Sequence, residues 1–191
     1  MKPKLHFTPP QNWMNDPNGL IYFQGKYHLF YQHFPYTCQW GTMHWGHAVS
    51  NDLVHFEHLP IALYPSKYAD RNGCFSGSAI EYHNQLYLYY TSIRYAKENP
   101  EYVHVQYSDD DLIASQSVVI SQDGFAFDNQ NDKHLVVDVI EDKKLGDKRH
   151  TRDPKVWIGK NGHSLYELLE VKYLVIRDMM VKFYFMKVKM V

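Results

Sequence analysis

The 191-residue chain is long enough to form one domain with a sizeable core. Its 45% hydrophobic and 21% charged content is ordinary for a globular protein. The formal net charge of −1 gives no electrostatic basis for binding nucleic acid or an anionic membrane.

The first predicted element is a turn at Asp16-Pro17-Asn18-Gly19, directly ahead of a strand at residues 20–23. Asp, Pro and Gly occupy the first, second and fourth positions that a type I turn favours. Taken alone, such a turn is better interpreted without any chemistry. Its surroundings favour a functional interpretation, because aromatic residues flank it, Asn15 precedes it and Arg152-Asp153-Pro154 follows much later. Asp16 is therefore a candidate site residue at the mouth of a β-structure.

A strand–turn–strand pattern repeats along the chain, at residues 20–31 and 78–90, and begins a third time at residues 154–158. A further strand is predicted at residues 44–50 and again at residues 103–108, each ahead of an Asp-containing turn. One such unit per repeat is typical of a β-propeller, so we expect an all-β fold with about three blade units. Polar residues just ahead of the first strands are predicted to meet at one end of the channel: Asp16, Ser76 and Asp153.

The remaining segments predict little chemistry. Residues 95–100 and 121–149 are polar and are predicted to be rich in loops. His44 and His47 should point to opposite faces of a strand, and no cysteine or paired carboxylate completes a metal shell near the other histidines. We therefore expect neither a metal site nor a cofactor.

Cys38 and Cys74 are the only cysteines, and they have neither metal-ligand spacing nor the number that a disulfide framework needs. We interpret both as free thiols in a reducing compartment. The first residues contain no apolar run typical of a signal peptide, and charged residues interrupt the apolar stretch at 173–191. A cytoplasmic protein without a membrane span is expected.

Seven short blocks in the sequence together resemble glycoside hydrolase family 32, which includes invertase and sucrose-6-phosphate hydrolase. They are Trp13–Gly19, Phe30–Gln32, Gln39–Gly41, His44–Ser50, Asp52-Leu53, Phe75–Ser78 and Arg152–Pro154. The resemblance implies a five-bladed β-propeller followed by a β-sandwich. It also implies retaining cleavage of β-fructofuranosyl bonds in sucrose, sucrose 6-phosphate or short fructans, with a small sugar as the binding partner.

The resemblance also implies residue roles. Asp16 matches the nucleophile that attacks the anomeric carbon of a fructosyl unit, and Asp153 matches a stabiliser of the oxocarbenium-like transition state. The adjacent Arg152 would fix the sugar and the carboxylates electrostatically. Other positions would bind or enclose the fructosyl unit: Asn15, Gln32, Trp40, Phe75 and Ser76. Trp45 and His47 lie in a shared block, and we interpret both as structural.

The chain departs from the family pattern after Arg152-Asp153-Pro154. The family's acid/base is a Glu followed by Cys, whereas the Glu residues beyond Asp153 are Glu167 and Glu170, without that context. We expect residues 1–158 to be the N-terminal part of a β-propeller catalytic domain. Residues 159–191 are expected to be a divergent tail, either an out-of-frame extension or at best a third blade. Two functions remain open: a β-fructofuranosidase, or a truncated, inactive remnant that at most binds fructosyl sugars.

Overall fold

The computed structural model describes residues 5–160, 165–175 and 178–188. The described residues form three antiparallel sheets, here called blades 1, 2 and 3. Blade 1 contains β1 (Trp13–Phe23), β2 (Lys26–Phe34), β3 (His44–Ser50) and β4 (Phe56–Leu63). Blade 2 contains β5 (Gly73–Tyr82), β6 (Gln85–Tyr95), β7 (Leu112–Ser121) and β8 (Lys133–Val137). Blade 3 contains β9 (Thr151–Ile158), β10 (Leu165–Val175) and β11 (Asp178–Val188), and a 3₁₀ turn spans Asp109–Asp111.

The strands of each blade follow one another in sequence order, so every connection joins neighbouring antiparallel strands. The all-β prediction is therefore confirmed, and the three sheets correspond to the three predicted units. No helix among the described residues is long and apolar enough to cross a membrane.

Both predicted hairpins are present, as β1–β2 and β5–β6. Their two-residue turns have positive φ at both positions, 44° and 84° at Gln24-Gly25 and 49° and 59° at His83-Asn84. This is the type I′ geometry, whose twist matches that of the flanking strands. The turn chemistry of the repeat thus sets the register of both blades.

The third strand of blade 2 differs from the prediction. Residues 103–108 form turns and an isolated bridge, and β7 (Leu112–Ser121) takes the place beside β6. Its centre, Ser115-Gln116-Ser117, is polar but buried, and hydrogen bonds within the sheet offset the cost of burying these groups. Residues 121–149 are mostly loop, as predicted, and contain one short strand, β8.

The two four-stranded blades share the same hydrogen-bonded turn after their third strand. Ser50 Oγ donates to Asp52 at 3.0 Å and accepts from the amide three residues further on at 2.9 Å. Ser121 repeats both contacts, with Asp123 at 3.2 Å and with the amide three residues further on at 2.9 Å. In each turn the Asp side chain accepts from two later amides. Local hydrogen bonding of this kind ends a strand without tertiary contacts.

The first strands of the three blades pack side by side, β1 against β5 and β5 against β9. This is the arrangement of innermost strands in a propeller. The main apolar core lies between blades 1 and 2 and joins Phe30 and Trp45 to Leu88, Tyr90 and Val119. Each large side chain that is fully buried contributes on the order of 1.5–3 kcal/mol. The core thereby fixes the two blades that carry most of the candidate site.

The predicted turn ahead of β1 is not a turn. Asp16 lies inside β1, Ser76 lies inside β5 and Asp153 lies inside β9, rather than just before those strands. Pro17 is tolerated within β1 because β1 is an edge strand that pairs with β2 alone. Proline, which lacks a backbone N–H, is confined to such positions in sheets. The expectation that the three polar groups come from equivalent first strands is met.

Candidate active site

A cavity of about 260 Å³ lies at the end of the molecule where the first strands begin. All eight site residues expected from the sequence line it, together with Met43: Asn15, Asp16, Gln32, Trp40, Phe75, Ser76, Arg152 and Asp153. These residues come from all three blades and are up to 138 positions apart in the chain, counted from Asn15 to Asp153. Folding therefore brings the predicted residues together, while their roles stay predictions.

Irregularities in strand pairing position the polar groups. In β1, Asn15 and Asp16 together lie opposite Gln32 of β2, and in β5 Ser76 is an extra residue relative to β6. The pairing of β9 with β10 shifts at Asp153-Pro154. A bulge re-aims a side chain that regular alternation would send elsewhere, and it occurs most readily on strands that are paired on one side. The first strand of each blade therefore has an irregular pairing at the end of the molecule that holds the cavity.

Asp16 receives a direct contact from the next blade. The Ser76 hydroxyl donates to Asp16 Oδ2 at 2.9 Å, which ties the bulge of β1 to the bulge of β5. The neighbouring Asn15 is held by Trp13, whose indole Nε1 donates to Asn15 Oδ1 at 2.8 Å. A carboxylate that is exposed to the cavity and oriented by a hydroxyl is suited to act as a nucleophile.

Asp153 has a left-handed backbone with φ of 60°, which is uncommon for a residue other than Gly. Its backbone N–H donates to Thr91 Oγ1 at 2.9 Å, and the Thr91 hydroxyl donates to Gln116 Oε1, also at 2.9 Å. Gln116 Nε2 in turn donates to the carbonyl of Thr151 at 2.9 Å. Strained backbone persists where its surroundings hold it firmly. Here hydrogen bonds from blade 2 hold the Asp153 amide and the Thr151 carbonyl.

Arg152 provides the positive charge of the cavity. Its Nε lies 3.9 Å from Asp153 Oδ2. The same Nε is buried without a hydrogen-bond partner among the described residues. A buried donor with no partner is costly, so a ligand oxygen at this position would stabilise the site.

The remaining walls of the cavity are aromatic and amide groups. Trp40 and Phe75 meet edge to face with ring centroids 5.9 Å apart. Gln32 is buried and uses one amide N–H for the Cys74 carbonyl at 3.1 Å. Trp45 is fully buried, and its indole donates to the Phe75 carbonyl at 3.0 Å, so it supports the wall from the core.

Sequence reasoning missed three residues that support the site: Met43, Thr91 and Gln116. Met43 carries no polar group that would have singled it out. Thr91 and Gln116 are polar residues in otherwise apolar strand runs, and this pattern is the signal that could have indicated buried partners for the site.

The histidines of this part of the molecule are packed as neutral rings. His47 is buried and stacks on Phe30 with centroids 4.3 Å apart, and burial lowers its pKa to about 3. Burial also lowers the pKa of His33, although its Nδ1 lies 2.8 Å from the Trp13 carbonyl, which can only accept. Among the described residues no three His, Cys, Asp or Glu side chains are grouped to hold a metal ion.

Comparisons with known proteins identify one family for this chain. The family model described as glycosyl hydrolases family 32 N-terminal domain matches residues 6–186. Sucrose-6-phosphate hydrolase of Zymomonas mobilis is 44% identical over 162 residues, which are 83% of this chain and 28% of that protein. Raffinose invertase of Escherichia coli is 42% identical over 159 residues, 81% of this chain and 29% of that protein.

Among solved structures, a Bombyx mori family 32 β-fructofuranosidase superposes with a TM-score of 0.72 at 34% identity. The match covers 97% of this chain and 35% of the Bombyx mori chain. The chain thus spans less than a third of the length of the curated relatives that it matches. On the family match, the sequence relatives and the shared propeller architecture, this chain belongs to glycoside hydrolase family 32, within its N-terminal domain.

Proposed function

We propose that this domain supplies the nucleophile and the fructosyl pocket of a retaining β-fructofuranosidase. The observation that carries the proposal is the convergence of Asp16, Ser76, Arg152 and Asp153 on one cavity with aromatic walls. The substrate would be a β-fructofuranoside, namely sucrose, sucrose 6-phosphate or a short fructan. Relatives named for sucrose 6-phosphate and for raffinose support this substrate class, and so does a Bombyx mori mutant solved in complex with sucrose.

In the proposed reaction, the Asp16 carboxylate attacks the anomeric carbon of the fructosyl unit while the bond from that carbon to the glycosidic oxygen breaks, and the leaving sugar takes a proton from a general acid. Water then hydrolyses the covalent glycosyl–enzyme intermediate, which frees Asp16 and releases fructose with retained configuration. The Ser76 hydroxyl holds the attacking carboxylate in position. Asp153 binds fructose hydroxyls, and its carboxylate interacts more strongly with the sugar ring as positive charge develops there. Arg152 fixes the sugar and the carboxylates electrostatically. Trp40 and Phe75 enclose the ring and exclude water from its faces.

The experiment is a chimera in which residues 1–158 replace the matching segment of the Zymomonas mobilis sucrose-6-phosphate hydrolase. Sucrose and sucrose 6-phosphate are the substrates, and NMR follows the anomer of fructose that is released first. We expect cleavage with retained configuration, and no cleavage by the Asp16→Ala chimera. Inverted fructose, or no cleavage by a folded chimera, would show that the proposal is wrong.

A second candidate is a chain that binds fructosyl sugars without turnover. The observation in its favour is that the described lining of the cavity holds two aspartates and no glutamate to act as proton donor. General acid catalysis is typically worth about 10²–10⁴ in rate. Turnover of sucrose by Met1–Val191, assayed against Asp16→Ala, separates the two candidates. Turnover that depends on Asp16 would indicate that Glu167 or Glu170 supplies the proton.

We also propose that residues 1–158 are the native propeller segment and that the protein works in the cytoplasm. The unpaired state of both cysteines supports the second point, since Cys38 is exposed and would be oxidised readily in a secreted protein. Nucleotide sequencing downstream of the Trp157 codon tests the first point, and fractionation of the source cells tests the second.

A further inference from the structure

A second cavity, of about 500 Å³, is larger than the candidate active site and lies at the same end of the molecule. The antiparallel order of the strands requires this position, because β3 and β5 begin there and β4 and β6 end there. Blades 1 and 2 both contribute to it, and the blade 2 loop between β6 and β7 reaches across to Tyr36. Thr42 and His44 line this cavity and flank Met43 of the active-site cavity, so a short segment separates the two.

Aromatic rings form part of the wall. Tyr36 exposes 63% of its surface, and its ring stacks on His104 with centroids 5.7 Å apart. Tyr64 is also exposed, and Ile61, Pro65 and Val103 add apolar surface. An exposed ring that is held rigidly from behind offers a flat platform, which suits the apolar face of a sugar ring.

Hydrogen-bonding groups surround the rings without leaving a net charge. The one carboxylate in the lining, Glu98, lies 3.3 Å from Arg71, so the two charges compensate each other. His44 donates from Nδ1 to the Thr42 carbonyl at 2.9 Å, which leaves Nε2 as an acceptor. Burial lowers the pKa of His44 to about 4, so this ring is neutral at physiological pH. A neutral ligand rich in hydroxyls fits this lining better than a phosphate does.

We propose that this cavity is a second carbohydrate site, which binds a neutral oligosaccharide without cleaving it. Its single, paired carboxylate cannot supply the two carboxyl groups that glycoside hydrolysis takes. The volume lies within the range of about 300–1,000 Å³ that small-molecule sites occupy. The proposal does not depend on Asp16 or on turnover, and a ligand held here would raise the local concentration of sugar beside the active site.

The test is binding of 1-kestose, a neutral trisaccharide, to Met1–Val191, followed by ¹⁵N NMR of assigned backbone amides. We expect shifts at Asn72 and His104 that saturate at a concentration on the order of 10 mM or below. Tyr36→Ala should weaken this binding by about tenfold or more, because the platform is lost. Tyr36→Phe keeps the ring and should keep the binding.

Two further variants make the result specific. Tyr22→Ala is the matched control, since Tyr22 is similarly exposed, at 58%, but lies near the opposite end of β1. It should leave the shifts unchanged, as should Asp16→Asn, which affects the active-site cavity alone. Shifts confined to residues around Asp16, or no shifts at all in the folded chain, would overturn the proposal. Tighter binding of glucose 6-phosphate than of 1-kestose would overturn it too, because it would show an anion site.

Discussion

Asp16 is exposed to the cavity and has a fixed orientation, so its proposed catalytic role can be tested without disturbing the fold. Its side chain is accessible, and its one side-chain partner shown here is the Ser76 hydroxyl. We expect Asp16→Asn in the chimera to lower kcat by about 10³-fold or more, since the amide keeps the shape but cannot attack the sugar. The midpoint of urea unfolding should change little.

Ser76→Ala tests how much the hydrogen bond that orients Asp16 contributes to turnover. It removes a single hydrogen bond, worth about 0.5–1.5 kcal/mol, so kcat should fall by roughly three- to tenfold. Near-normal turnover by Asp16→Asn would show that another carboxylate is the nucleophile.

His28 and His47 form a buried pair of neutral rings, and keeping them neutral lowers the free energy of unfolding at acidic pH. Nδ1 of His28 lies 3.0 Å from Nε2 of His47, and the rings pack against Phe30 and Phe125. Burial lowers both pKa values below the ordinary 6.5, and Lys26 lowers that of His28 further. Below pH 6.5 the unfolded chain therefore binds protons that the native state excludes. The free energy of unfolding should fall as the pH drops below about 6.5, by up to about 1.4 kcal/mol per pH unit for each ring. For His47 this decrease should continue towards pH 3.

Urea unfolding at pH 7, 6 and 5 checks this expectation, because few carboxylates titrate in that range. The His28→Leu/His47→Leu double variant should lose roughly half of the slope, because His33 and His44 are also buried with lowered pKa values and keep the rest. His6→Gln is the control, since His6 is exposed. An unchanged slope in the double variant would place the acid sensitivity elsewhere.

At the scale of elements, β9 depends on blade 2 for the shape of its bulge. The Thr91 hydroxyl accepts from the Asp153 amide and donates to Gln116 Oε1, so both of these groups lose a partner in Thr91→Val. We expect this variant to lower the free energy of unfolding by about 1–3 kcal/mol, because buried polar groups are left unpaired. In the chimera it should also lower kcat by more than KM rises, since Asp153 is predicted to act in the transition state.

Ser92→Ala provides the matched comparison on the same strand. The Ser92 hydroxyl is buried and donates to Ser117 at 2.7 Å, within blade 2. Ser92→Ala should therefore lower the free energy of unfolding by about as much as Thr91→Val does, and it should leave kcat nearly unchanged. Equal losses of kcat in the two variants would mean that Thr91 acts on the fold alone.

The elements also show which features the sequence could predict. The two type I′ hairpins follow from local chemistry, namely β-forming residues on both sides of a two-residue turn. The strand β7 was missed because Ser115, Gln116 and Ser117 resemble a loop until their partners in other strands are known. The bulge of β1 was misread as a turn for a similar reason: Asp-Pro-Asn-Gly favours a turn locally, and pairing with β2 overrides it.

The convergence of the candidate site residues was easier to predict than the strands that carry them, and the roles of these residues stay predictions. The motif blocks identify Asp16, Arg152 and Asp153 whatever backbone presents them, and all of them line the cavity. The supporting residues could not be predicted, because the contacts of Thr91 and Gln116 to β9 span 62 and 35 positions in the chain. Such contacts depend on how blades pack, which local patterns do not specify.

At the scale of the molecule, a buried ion pair joins the outer edge of blade 2 to the end of blade 1. Lys133 of β8 donates to Asp70 at 2.7 Å and to the Tyr64 carbonyl at 2.6 Å. Both charged side chains are almost completely buried, at 1% and 0% exposure. Tyr90 adds a hydrogen bond to Asp70 at 2.8 Å, so the carboxylate is surrounded by donors. The connection between β4 and β5 is thereby fixed to both blades.

Lys133→Met should lower the free energy of unfolding by about 3–5 kcal/mol, because it leaves the Asp70 carboxylate buried without its cation. A loss of that size is a large part of the 5–15 kcal/mol that typically stabilises a domain, so it should show in the urea midpoint. Lys133→Met/Asp70→Asn removes both charges and should recover part of the loss, which distinguishes an unpaired charge from lost packing. Lys155→Met, at an exposed lysine of β9, is the control and should change stability by less than about 0.5 kcal/mol. If the double variant were as unstable as the sum of the two single variants, the two residues would stabilise the blades independently and the ion pair would not join them.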